Sequence, residues 1–583
     1  MTRSRSIPPA PGVLAFRILV LLMLCVWPSV ASGQGIREKG AHMDTDRLRA
    51  ILERLREQTE QEQGALSKAS GDAAKTPLYS DSLIAAREWV GLRQGRPVMR
   101  ITHNREAAAS SGIDALHENG RSGLNLSGIN QMVALFDNGH PRLTHVELSG
   151  RIERRDAFST ESSHSTHVAG TIAASGQWRD AMGMAPQARI RSHDWTNDVV
   201  EMAEVALEGI RVSNHSYGDP LGWTPNILGD GYWGWMGIPS ISEREDVSFG
   251  RYGQTAAIWD EIADAAAHLV IVKSAGNERA AQGPPDGAPH YVFDGGWQLQ
   301  TTVRDADGGA TGYDTIGDAG VAKNVITVGA TADAPWEIEG PADVVMTSFS
   351  GWGPVDDGRI KPDLVANGTA LMSSKAGSDS AYGASSGTSQ AAPVVTGAAV
   401  LLQELWQREL PGHVALSSTI KALLLHSADE AGPAPGPDYQ FGWGHLNAER
   451  AALHLKQSAD ADRVFAPVRP YPAWVFEGSV AAGQTIEYVL SLPEGMPLRT
   501  TLVWTDPAVP VRELMLDDPS SQLVHDLDLV VGQDGVDHLP WVLDPFQPDA
   551  AASRGRNSRD NVEQVLFDAA TGATQGTLAP HER

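Results

Sequence analysis

Only one cysteine occurs in the 583 residues, Cys25, so the chain can form no internal disulfide and no multi-thiol metal site. Long apolar runs are also missing. The most continuous one, Ile18 to Trp27, is too short to span a bilayer comfortably. Arg3, Arg5 and Arg17 precede it and Ser29-Val30-Ala31 offers a small-x-small cleavage site, so residues 1–33 are expected to be a secretory signal and no stable membrane anchor is expected. Removing that leader removes Cys25, leaving no thiol nucleophile; Leu22-Met23-Leu24 lacks the small residues of a lipidation signal. Positive charge is scarce. With 46 Lys and Arg against 72 Asp and Glu, the net charge is −26, which argues against nucleic-acid binding and for a self-repelling protein that is secreted, extracellular or periplasmic.

Apolar residues make up 42% of the chain, enough for globular packing, and its length implies two or three domains. Asp44 can cap a helix whose Leu48, Ile51, Leu52 and Leu55 form one apolar stripe. Ala69 to Pro77 follows as a linker. From about Arg100, apolar strands alternate with helical patterns, the signature of an α/β fold: a parallel sheet covered by helices on both faces. The expected strands are Met132 to Phe136, Ala188 to Ile190, Arg211 to Ser213, Leu269 to Val272, Val325 to Val328 and Asp363 to Ala366. Helices are expected at His164 to Ala174, Val199 to Glu208, Gln254 to Ala267, Ser389 to Gln407 and Ser417 to Ser427. Beyond Ala459 short alternating runs at Thr485 to Leu490, Thr500 to Trp504, Leu527 to Val531 and Val562 to Leu566 suggest an antiparallel β-sandwich.

The chemistry gathers around Gly387-Thr388-Ser389-Gln390-Ala391-Ala392-Pro393, where a hydroxyl stands at the start of a helix rich in small residues, among free backbone N–H groups. Pro393 is expected in the first helical turn. A capped core helix would look similar, so context has to decide. Upstream lie Asp137-Asn138-Gly139 after an apolar strand, His164-Ser165-Thr166-His167-Val168-Ala169-Gly170, and Ser274-Ala275-Gly276-Asn277 after another strand. The chain order Asp, His, Ser is one of the known orders of a convergent triad.

These segments resemble the motifs of the subtilisin-like serine peptidases (subtilases, S8 type). Further landmarks, among them Gly183 to Pro186, Ser348 to Pro354, Lys361 to Gly368 and Phe441 to Asn447, extend the resemblance over roughly Val98 to Leu455. It implies a peptidase domain over 98–459, preceded by a propeptide in 34–97, although the usual inhibitor-like propeptide pattern is not found there. Residues 460–583 would form the jelly-roll-like sandwich of the alkaline KP-43-type subtilases, either incomplete or closed differently because Thr571 to Arg583 is polar and turn-rich. By resemblance, Ser389 is the nucleophile, His164 the base that takes its proton and later protonates the leaving amine, and Asp137 the carboxylate that orients the imidazole. Asn277 and the Ser389 backbone N–H would stabilise the oxyanion. Ser216, Tyr217 and Gly218, with Ala275 and Gly276, would bind extended substrate backbone. His167 matches the family's second, structural histidine, and His215 is read as core or pocket wall.

The resemblance implies endopeptidase cleavage of protein or peptide substrates through an acyl-enzyme, by a monomer that needs no cofactor for catalysis. Structural calcium is compatible with acid pairs such as Asp305 and Asp307 or Asp526 and Asp528, but no complete loop of ligands is evident and no metal residue is assigned. The sequence departs from the family pattern at Asn138, at Ser165 and at Gln390 with Ala392. Two other readings stand beside this one. An inactive, peptide-binding subtilase-fold protein would be favoured by loss of any of Asp137, His164, Asn277 or Ser389, all of which are present. An esterase would show Gly-x-Ser-x-Gly and the order Ser, Asp, His, neither of which frames Ser389.

Residues 218–253 alternate Trp223, Tyr232, Trp233 and Trp235 with glycines. Such rings either pack inward or meet a ligand. The exit of this loop from Ser216-Tyr217-Gly218 leads to the expectation that Trp233 and Trp235 wall the substrate pocket.

Overall fold

The computed structural model describes residues 23–26, 43–69, 88–93, 96–100, 104–156, 160–334, 338–461, 473–488, 497–533 and 536–567. Its centre is a seven-stranded sheet of β1 (Met132–Asp137), β2 (Ile152–Arg154), β3 (Arg189–Asp194), β4 (Val212–His215), β5 (Val270–Ser274), β6 (Ile326–Thr331) and β7 (Leu364–Asn367), in the order β7-β6-β5-β4-β1-β3-β2. All six pairings are parallel. Alternation along each strand sends side chains to opposite faces. Val133, Leu135, Val270 and Val272 therefore face one apolar core, whereas Ala134, Phe136 and Ile271 face another.

Helices cover both faces, as expected. The first core is closed by α2 (Ser163–Ala173), α5 (Thr388–Glu409), α6 (Ser417–Ser427) and α7 (Ala448–Ala461). The second is closed by α3 (Asp198–Leu207) and α4 (Gln254–Ala265), and over them by α1 (Thr45–Ala69). The stripe of α1, Leu48, Ile51, Leu52 and Leu55, is buried there, and Arg47, Arg54 and Arg56 pair with Asp264, Glu261 and Glu204. The expected boundary at 97/98 falls inside the antiparallel pair Glu88–Arg93 and Arg96–Arg100. Among the described residues no helix is long and apolar enough to cross a membrane.

Asp363, which precedes β7, is fully enclosed between two cations: its oxygens lie 2.6 Å from Lys361 Nζ and 2.7 Å from Lys421 Nζ. Removing the shared anion would leave two buried ammonium groups facing each other. Asp363→Ala is therefore expected to lower folding stability by about 3–5 kcal/mol, read from denaturant unfolding.

The C-terminal region is less regular than the sequence suggests. Leu498–Trp504 pairs antiparallel with Val562–Phe567, and Met23–Val26, from within the expected leader, runs parallel between Leu498–Trp504 and Val475–Gly478. Two short ladders, Val531–Gln533 with Val536–His538 and Trp541–Val542 with Ser553–Arg554, complete the described strands. Thr485–Tyr488 is irregular, and the 527–531 run supplies a strand only from Val531. Val489 and Leu490 lie outside the described residues; among the described residues Leu502, Trp504, Leu527, Leu529 and Val565 form a local core. Lys323 ties this region to the main domain, donating to Asp506 and to the carbonyls of Pro507 and Gln522.

Candidate active site

Three of the sequence motifs meet at the C-terminal edge of the sheet, where α/β folds place their ligands. Asp137 ends β1 with its side chain fully enclosed, and Asn138 N–H donates to its Oδ1 at 2.7 Å. Ser162 caps α2 by accepting the Ser165 N–H at 3.1 Å, which places His164 in the first turn. His164 Nδ1 then sits 2.8 Å from Asp137 Oδ1 and 3.0 Å from Oδ2, while its side chain stays 27% exposed. One edge of the imidazole is thus held by a carboxylate and the ring opens toward solvent.

Ser389 is the second residue of α5, which starts after Gly387 in a left-handed conformation at φ +151°. Gln390 and Ala391 N–H groups bond back to Gly387 O, whereas the Ser389 N–H belongs to the first turn and has no intrahelical acceptor. Pro393 lies in the second turn, not the first as expected. Four residues after Ser389, it lacks the N–H that would occupy the Ser389 carbonyl. That carbonyl instead accepts Ser216 Oγ at 3.0 Å, and Ser389 Oγ donates to Ser216 O at 2.8 Å. Asn214 Nδ2 donates to Ser216 Oγ at 3.0 Å and Thr396 Oγ1 donates to Asn214 Oδ1 at 2.8 Å, locking the exit of β4 against α5.

Asn277 follows β5 and approaches the same helix start. Its Oδ1 accepts the Thr388 N–H at 2.9 Å and lies 3.2 Å from the Thr388 hydroxyl. With the carbonyl end fixed, the NH2 end is left to donate elsewhere. At Gly387 the backbone has φ +151° and a Cβ would fall 2.9 Å from Gln390 Oε1, so glycine suits the start of this helix. Thr388 is a positioning residue that sequence reasoning quoted without giving it a role; its hydroxyl also accepts the Gly276 N–H at 3.2 Å.

The substrate-binding candidates divide. Ser216 is buried, Tyr217 half-buried and Gly218 exposed, giving an open strand edge. Ala275 and Gly276 have their N–H groups engaged by Val328 O and Thr388 Oγ1, and Gly276 O accepts from Gly351 N–H. Their backbone supports Asn277 more than it presents donors outward. His167 is enclosed, with Nε2 2.8 Å from Leu371 O, and burial holds its pKa far below the ordinary value. His215 stacks on Phe136 at 4.6 Å and bonds Tyr217 OH and Ser213 Oγ; burial lowers its pKa strongly too. Both are core histidines.

The departures from pattern have local accounts. Asn138 Oδ1 accepts from the Ser162 hydroxyl, joining the end of β1 to the cap of α2. Ala392 is enclosed in the first core. Ser165 Oγ and Gln390 Nε2 are enclosed without hydrogen-bond partners, and nothing in the structure explains them. Three of the four acids considered for calcium have partners within the chain. Asp305 forms an ion pair with Arg244, Asp307 accepts the Trp223 N–H and burial raises its pKa to about 8, and Asp528 lies 3.7 Å from Arg556.

The aromatic loop corrects the expectation drawn from it for Trp235, while Trp233 is half-buried with its ring edge-on to Trp223. Trp223–Thr224 and Gly234–Trp235 join His290–Phe293 and Trp297–Gln300 in a four-stranded sheet of their own. Trp235 is 1% exposed, packed with Trp223 and Val292 and capped by the Arg304 guanidinium 3.9 Å from its ring. It is a core residue of this subdomain. Trp235→Ala is expected to cost about 3–5 kcal/mol in thermal or denaturant unfolding. Its preferences among competing peptides should run parallel to wild type.

Among known proteins, a family model described as the Subtilase family matches residues 111–444. The serine protease/ABC transporter B family protein tagA of Dictyostelium discoideum is 29% identical over 202 residues, which span 29% of this chain and only 11% of that protein. Serine protease AprX of Bacillus subtilis (strain 168) is 26% identical over 392 residues, covering 61% of this chain and 74% of the relative. The solved structure of Patellamide maturation protease PatA is 21% identical, with a TM-score of 0.38, over 56% of this chain and 97% of that one.

Proposed function

The chain belongs to the subtilase family, whose model spans more than half of it, and from that premise we propose that it is a secreted serine endopeptidase working through Asp137, His164 and Ser389. The observation that carries this reading is the 2.8 Å contact of His164 Nδ1 with Asp137, in a chain whose Ser389 stands in the first turn of α5 with its hydroxyl on Ser216 O, just past the strand that pairs with β1. Asp137 fixes the tautomer with the proton on Nδ1, leaving Nε2 as the base.

For reaction, the Ser389 hydroxyl has to leave the Ser216 carbonyl and turn to Nε2. The imidazole then takes the proton as the Oγ–C bond forms. It returns that proton to the departing amine as the C–N bond breaks, and water repeats the sequence to release the acyl group. Negative charge on the carbonyl oxygen is met by Asn277 Nδ2 and the Ser389 N–H. Extended peptide adds along Ser216 to Gly218, which restricts cleavage to unfolded or looped protein. The apolar run Ile18 to Trp27 with its small-residue cleavage site supports export.

Treating the purified chain with a fluorophosphonate probe and mapping the adduct tests the reading. Labelling at Ser389, with cleavage of an unfolded protein substrate, is the expected result. An intact chain that binds peptide but takes no label would favour the inactive, peptide-binding alternative.

A further inference from the structure

Away from the proposed catalytic groups, three side chains converge beside β1. Asp156 lies just past β2, His193 lies in β3 and Glu201 lies in the first turn of α3; each offers one ligand atom, and these atoms lie within 4.8 Å of one another. His193 is 3% exposed, and neither ring nitrogen has a hydrogen-bond partner. Buried polar groups without partners are exceptional and call for an account. Its ring is held in place by stacking on Phe136, centroids 4.8 Å apart.

Glu201 Oε2 is likewise sealed from solvent and unpartnered, although it lies 3.2 Å from His193 Nδ1. Two enclosed polar atoms this close, neither of them hydrogen-bonded, are open to a shared partner. Donors bound about 2.0–2.1 Å from a tetrahedral ion sit about 3.3 Å apart, a spacing this pair already has. Asp156 Oδ2 accepts the Asp194 N–H at 2.5 Å, the kind of outer contact that orients a ligating carboxylate. The nearby cations are already engaged: Arg155 pairs with Glu153 and Glu208, and so does Arg191.

We infer that Asp156, His193 and Glu201 form a binding site for a divalent transition cation of the zinc type, with water completing its coordination. An imidazole with two carboxylates suits such an ion better than calcium, which takes six to eight oxygens. The protonation states agree. Burial holds His193 down at about 4, leaving it neutral as a ligand must be, while burial and the neighbouring Asp156 push Glu201 up to about 9.

The role is structural. The ion joins β2, β3 and α3, and the start of α3 carries Asp198, whose Oδ2 accepts the Tyr217 hydroxyl at 2.7 Å. It therefore braces the segment that bears Tyr217 without touching the reacting atoms.

The test uses the full chain, freed of metal with a chelator and titrated with zinc chloride by calorimetry near neutral pH. One ion is expected at this site, and Glu201→Gln and Asp156→Asn should each weaken binding at least tenfold. Glu245→Gln, in a separate group with Asp314 and Asp517, should bind at this site as wild type does. Metal-free melting of Glu201→Gln at or above the wild-type temperature would show that the loss is one of ligation and not of folding; if that variant does not fold, Asp156→Asn decides. Absence of zinc binding by the wild-type chain, or equal binding by the folded variants, overturns the proposal. Because the readout is the heat of binding, it is independent of whether the chain cleaves peptides.

Discussion

Ser389→Ala is expected to remove about six orders of magnitude from kcat on an unfolded protein substrate while leaving KM and the melting temperature close to wild type. The size follows from what the hydroxyl does. In the proposed mechanism it forms the covalent bond, so without it water would have to attack directly, with only the proposed oxyanion donors and substrate binding to help. The folded state loses little, because Ser389 Oγ makes one neutral hydrogen bond, to Ser216 O, worth about 1 kcal/mol. His164→Ala should fall nearly as far, since the two residues act as one unit. A Ser389→Ala chain that keeps proteolysis in a preparation free of contaminating protease would show that the nucleophile lies elsewhere.

Asn277→Ala should lower kcat by about 10²–10³, equivalent to roughly 3–4 kcal/mol, with KM changed by less than about threefold. The split between kcat and KM is the informative part. A ground-state carbonyl gains little from the amide, whereas the oxyanion gains a preorganised donor whose other end is held by Thr388. The variant also leaves the Thr388 N–H without its acceptor, so a modest drop in melting temperature accompanies the rate loss. Thr388→Val keeps that N–H and removes only the hydroxyl; it should cost less than about tenfold. If Asn277→Ala raised KM and spared kcat, the residue would be binding substrate uniformly and the oxyanion assignment would be wrong.

Much of the scaffold was legible because parallel strands buried on both faces leave near-continuous apolar runs, as in Met132 to Phe136 and Leu269 to Val272. Helices were equally plain: Ser417–Ser427 matches its expected bounds, and α5 differs by a residue or two at its ends. The expected strand Ala188 to Ile190 continues in the structure as β3 to Asp194, because neighbouring strands complete the ladder beyond Ile190. Edge strand β2, three residues with two of them charged, carries almost no local signal.

The sequence by itself determined most of the strands and helices along the chain, the motif residues and the small-residue helix that carries Ser389, because these depend on local periodicity and local turn chemistry. Only the tertiary structure decided what occupies the Ser389 carbonyl once Pro393 has removed its helical partner, that Trp235 packs inward, and that ligand atoms of Asp156, His193 and Glu201 come within 4.8 Å of one another. Those outcomes depend on contacts between residues far apart in the chain, whose distances are set by how the two apolar cores pack against the sheet, and no window along the sequence contains both partners.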